Sequence, residues 1–161
     1  MDRIVMESRV LGPVNLVGGM GGTTFETTTE LSGVTVPFRL EVDEPARFDE
    51  RQLAQLDAIL LGWERIEMMA RDALATALED PDSAPSALLK EWEEDSVEAP
   101  SDTRDFLSEL KPESVTVLWD APGIHQDRIV MPYTYSLSAD RVVLRFREQV
   151  GVEIDPPRRK A

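Results

Sequence analysis

The hydrophobic period of this chain changes twice, and that change restricts the fold more than any other feature. From Val34 to Val42 every second residue is apolar: Val34, Val36, Phe38, Leu40 and Val42 alternate with Thr35, Pro37, Arg39 and Glu41. Such alternation puts one face of a strand in a core and the other in water. From Glu50 the step lengthens to three and four residues, through Leu53, Leu56, Leu60, Trp63, Ala70, Leu74 and Ala77. That is the spacing of an amphipathic helix. Beyond Pro112 short strand-like runs return, over 114–119, 128–136 and 141–147. Strand runs kept apart from helix runs predict an α+β domain rather than an alternating α/β order. The expected architecture is one antiparallel sheet built from N- and C-terminal strands. A long central helix and shorter helices cover one of its faces. A single domain is expected over 1–155, with a flexible basic tail over 156–161.

Local signals sharpen this outline. Ser32-Gly33 is a two-residue turn signal between the Thr-rich run from Thr23 to Leu31 and the strand that follows, so these two strands should form a hairpin. Pro37 has no N–H to give, which predicts an edge strand or a bulge. A second hairpin is expected from the runs 3–10 and 14–17 around Gly12-Pro13. Asp49 should cap the long helix, with Gln52 three residues on and Phe48 placed to pack against Leu53. Run unbroken to Leu78, that helix would be about 45 Å long. A compact domain of this size is about 40 Å across. A bend is therefore expected, at Gly62. Asp80-Pro81 stops the helix, and Pro85 opens a shorter one with Leu88, Leu89 and Trp92 on one side. Ser101 caps a third helix over 102–110, ended by Lys111-Pro112. Ser138-Ala139-Asp140 is a turn between the last two strands of the pattern.

Charge is the strongest pointer to function. The chain carries 31 acidic residues against 17 basic ones, a net charge of -14, with an ordinary 42% hydrophobic content. Nucleic acid is repelled by such a chain, and so are anionic membranes. No cysteine is present, which removes disulfides, thiolate metal sites and a cysteine nucleophile. The apolar run Ile4 to Met6 ends after three residues, so no signal peptide or anchor is expected there. A cytoplasmic protein fits these features.

Several motifs need weighing. Gly18-Gly19-Met20-Gly21-Gly22-Thr23-Thr24 is rich in glycine, but no lysine follows and strand sequence comes next. A phosphate loop needs both a lysine and a helix; a strand connection is the reading. His125 is the one histidine. With Asp127 it offers two ligands, too few for a metal site. Ser136 and Ser138 sit in no nucleophile-elbow context. His125 is read as a loop residue, with no catalytic residue, metal or cofactor expected.

The acidic charge is concentrated. From Glu79 to Asp105 ten acidic residues meet only Lys90 and Arg104, net -8 within 27 residues. Glu91, Trp92, Glu93, Glu94, Asp95 and Glu98 form its centre and are the candidate partner-binding residues. Carboxylates steer a basic protein, and an aromatic ring supplies contact area. The plainer reading is that Trp92 packs on the long helix while its charged neighbours are solvated.

The early Val10-Leu11-Gly12-Pro13-Val14, the strand Val36-Pro37-Phe38-Arg39-Leu40-Glu41-Val42, the long helix and the closing Val142-Val143-Leu144-Arg145-Phe146 form a layout spanning most of the chain. It resembles a group of small bacterial domains of unknown function, some similar to immunity proteins encoded beside polymorphic toxins. The resemblance is one of pattern and carries over no functional residue. It implies a non-catalytic acidic binding protein that neutralises a basic toxin by occlusion. Two other classes stay open: a structural or regulatory subunit docking through an apolar sheet face or the Trp92 helix, and a hydrolase using carboxylates alone.

Overall fold

The computed structural model of the chain describes residues 3–17, 22–45, 48–95, 103–119, 129–134, 141–147 and 151–157, and two hairpins open it. The first pairs β1 (Arg3–Ser8) with β2 (Gly12–Val17). The second pairs β3 (Thr23–Leu31) with β4 (Val34–Val42) across Ser32-Gly33. Both turn residues take positive φ, 50° and 79°. A two-residue turn of that hand matches the right-handed twist of its strands. Along β4 the expected alternation holds: Val36, Phe38, Leu40 and Val42 are buried, while Thr35, Pro37 and Arg39 are exposed.

The helical pattern resolves into α1 (Glu50–Leu61) and α2 (Trp63–Ala77), divided at Gly62. The expected bend is thus a break, and the Gly62 N–H donates back to the Ala58 carbonyl at 3.1 Å. Asp49 caps α1, its Oδ1 accepting the Gln52 N–H at 3.0 Å. Asp49→Ala should lower stability by about 1 kcal/mol. An unchanged urea midpoint would show that the capping bond carries no weight. Next come α3 (Ala84–Asp95) and α4 (Thr103–Glu109). Among the described residues no helix is long and apolar enough to cross a membrane.

The chain closes with β5 (Lys111–Pro112), β6 (Val115–Trp119), β7 (Ile129–Thr134), β8 (Val142–Arg147) and β9 (Gly151–Ile154). The main sheet has seven strands in the order β3-β4-β6-β7-β8-β9, with β5 on β7. It is mostly antiparallel, joins strands from both ends of the chain, and is accompanied by longer and shorter helices in an α+β fold.

The structure corrects four details. First, β4 and β6 pair in parallel, Phe38 opposite Val115 through Val42 opposite Trp119. The chain leaves β4, runs through all four helices and re-enters in the same direction, as a crossover between parallel neighbours requires. Second, β4 is therefore no edge strand. Pro37 stands opposite Thr28 without a bulge and just before the stretch paired to β6. Third, Lys111-Pro112 does more than stop α4: it pairs antiparallel with Thr134 and Tyr133. Fourth, β1 and β2 form a sheet of their own.

A buried polar tie fastens that small sheet to α1. The Ser8 hydroxyl donates to Asp57 Oδ1, and the Arg9 N–H donates to Asp57 Oδ2 at 3.1 Å. Ser8 Oγ in turn accepts the N–H groups of Val10 and Leu11, at 3.2 and 2.9 Å. Buried polar groups need such partners. With its hydroxyl hydrogen and oxygen both engaged, Ser8 holds the hairpin turn rather than presenting a nucleophile.

Candidate functional site

The acidic segment takes shape on α3. Ser83 caps the helix, its Oγ accepting the Ser86 N–H at 3.2 Å. Pro85 falls in the first turn, where a missing N–H costs no helical bond. Leu88 is buried and Trp92, one turn on, is half-buried against the core. The Trp92 ring lies 5.3 Å from that of Phe106 on α4, tilted by 40°. Glu93 and Glu94 are exposed, while Glu91 is half-buried. Asp95 is the last residue of α3, and Glu98 lies outside the described residues. Glu79, Asp80 and Asp82 are exposed in the turn before α3, with the Asp82 N–H donating to Asp80 Oδ1 at 2.9 Å. The arrangement brings Glu93 and Glu94 to one exposed stretch of helix and gives Trp92 an inward contact.

A second feature was not anticipated from the sequence. Trp63, Glu67 and Arg71 recur at four-residue steps on α2, so they share one stripe. With Leu31, Val34, Val36, Lys111, Pro112, Val115 and Tyr133 they line a cleft of about 50 Å³. Arg71 donates to the Leu107 carbonyl, approaches Glu67 at 4.0 Å, and stands over the Tyr133 ring at 5.8 Å from its centroid. Tyr133 is 1% exposed. Its hydroxyl has no hydrogen-bond partner among the described residues. Burial pushes the phenol up to about 12; the Arg71 charge pulls the other way, and Glu67 adds to the rise. Among the described residues the site holds a protonated phenol beside two cationic side chains and one carboxylate.

Compared with protein-family models, curated proteins and solved structures, the chain matches none.

Other candidate motifs contribute less. Gly18 to Gly21 lie outside the described residues, as do His125, Asp127, Ser136 and Ser138. Gly22 leads directly into β3, as the strand-connection reading requires, and a Cβ there would stand 2.8 Å from the Val42 carbonyl oxygen. Among the described residues no group of three His, Asp or Glu side chains could hold a metal ion. The inward apolar side chains of β4, β6, β7 and β8 are buried by the chain itself, so that sheet face is not open for docking. The opposite face carries ion pairs. Arg39 meets Glu41 at 2.9 Å, and Arg145 binds both oxygens of Asp155 through Nε, at 2.9 and 3.2 Å. Arg141 also pairs with Glu113, and this hydrogen bond holds the Glu113 carboxyl below its ordinary range.

Proposed function

We propose that this chain is a non-catalytic acidic binding protein that meets a basic protein partner along α3 and the turn before it. It acts by occlusion, as an immunity protein masks a cationic toxin: its carboxylates occupy the positions where the partner would bind phosphate groups. The observation that supports the reading is the division of labour on α3. Leu88 and Trp92 face inward, whereas Glu93 and Glu94 are exposed in the last turn of α3 and Glu79, Asp80 and Asp82 are exposed in the turn before its first. Exposed charge contributes little to folding but much to the rate of encounter with an opposite charge. Net charge -14 adds long-range attraction to the same class of partner.

Trp92 is half-buried, and the exposed part of its ring would supply contact area to a partner. Because the ring also joins α3 to α4, Trp92→Ala should reduce stability as well as any affinity. The charges separate the two effects. Reversing the exposed Glu93 and Glu94 to lysine should slow association with cationic nuclease domains by about tenfold or more, with little change in thermal stability. Dissociation should change far less. Association rates of the wild type should fall steeply as salt rises, since the Debye length is about 8 Å at physiological ionic strength. Stopped-flow or surface-binding kinetics across a salt series would decide the matter. An association rate indifferent to salt and to the double reversal would place the interface elsewhere.

A further inference from the structure

We propose that the cleft between α2 and the end of the sheet is a binding site for a small monocarboxylate with a short apolar tail, such as propionate. It is separate from the partner surface above and does not depend on it.

Three observations converge on this ligand class. The first is the buried phenol. Tyr133 is 1% exposed, lines the cleft, and has no hydrogen-bond partner among the described residues. Buried hydroxyls are satisfied by a protein group, a water or a ligand. Held protonated by burial, this one is available as a donor through the physiological range, and its natural complement is an anionic oxygen. The second is local charge. Arg71 and Lys111 line the same cleft, and among its described lining residues only Glu67 opposes them, which makes this lining net positive within a chain of net -14. Arg71 gives one bond to the Leu107 carbonyl and faces Glu67 at 4.0 Å. A guanidinium has five N–H donors, so others remain for a ligand. The third is the remaining lining. Leu31, Val34, Val36, Trp63, Pro112 and Val115 are apolar, which suits a hydrocarbon tail and disfavours a fully hydrated ion.

Size and charge narrow the choice. A volume of about 50 Å³ holds about four water-sized groups, the scale of acetate or propionate. One negative charge balances the surplus cation. A second, as on phosphate, would lie against Glu67 and the apolar walls without a counterion. A carboxylate between Arg71 and Lys111 would accept the Tyr133 hydroxyl hydrogen, with the tail among Val34, Val36 and Val115.

The test is a titration of the full chain with sodium propionate at constant ionic strength. The readouts are the Trp63 indole and the methyl groups of Val34, Val36 and Val115 by NMR. Saturable shifts confined to these groups are expected, at about millimolar affinity for so small a ligand. 1-Propanol, propylamine, chloride and phosphate should fail to reproduce them. Tyr133→Phe keeps the ring and removes the donor, so it should weaken binding about tenfold; Arg71→Gln should weaken it at least as much. Should Arg71→Gln fail to fold, Lys111→Gln, at an exposed position, gives a second charge variant and should also weaken binding. Absence of a saturable response would overturn the proposal and leave the cleft to water. So would an equal response to chloride or propanol, or propionate affinity unchanged in Tyr133→Phe and the charge variant that folds.

Discussion

Replacing Phe38 with alanine is expected to cost about 3–5 kcal/mol of stability. Phe38 is 1% exposed and sits in β4 between Thr27 of β3 and Val115 of β6. Its removal deletes a buried ring where strands from the two ends of the chain meet. The surroundings are poorly placed to close the gap, because backbone ladders on both sides fix the strand. Domains of this size are stable by about 5–15 kcal/mol, so the loss is a large share of the total. At about 2–4 °C per kcal/mol, the thermal midpoint should drop by about 6–20 °C. Urea unfolding is the direct measurement, with the midpoint shifted and the slope retained. A loss under about 1 kcal/mol would show that this part of the core collapses around the cavity.

The strand containing Phe38 is also where the sequence was easiest to read. Its alternation, the Ser32-Gly33 turn, the Asp49 cap and the interruption at Gly62 each depend on residues a few positions apart. Pairing direction does not. Nothing in the Val36-to-Val42 pattern distinguishes a parallel neighbour from an antiparallel one, since both bury the same face. The parallel pairing with β6 follows from where four intervening helices return the chain. β5 and β9 escaped notice because they are two and four residues long and show no period. The tie between the β1–β2 sheet and α1 was equally hidden, because the position of Asp57 on α1 gives no sign that its carboxylate reaches Ser8 across 49 residues. The same distinction applies to the two surfaces. The exposure of Glu93 and Glu94 follows from helical spacing once Leu88 and Trp92 face inward. The cleft joins Leu31, Arg71, Lys111 and Tyr133 from distant parts of the chain. Only the four-residue recurrence of Trp63, Glu67 and Arg71 could have hinted at it.

Tyr133 should make the protein selectively sensitive to alkali. Its phenol titrates at about 12 in the folded chain, against an ordinary value of 10.0. The folded state therefore holds its proton where the unfolded state has lost it. The contribution to stability is fully present below pH 10 and is lost as pH rises toward and through 12. A gap of two units corresponds to about 3 kcal/mol over that window. Tyr133→Phe has no proton to lose. Its unfolding free energy, compared with the wild type from pH 8 to 12, should isolate the effect, because other titrating groups are common to both. By pH 12 the wild type should have lost about 2 kcal/mol more than the variant, with the divergence beginning near pH 10. Phenolate absorbance gives an independent check, since the chain has two tyrosines: a late phase should belong to Tyr133 and vanish in Tyr133→Phe. Removing the Arg71 charge should move that phase later still, because Arg71 opposes the rise caused by burial. A parallel decline of wild type and variant through pH 11, with no late phase to remove, would mean that the phenol reaches water and that burial does not hold its proton.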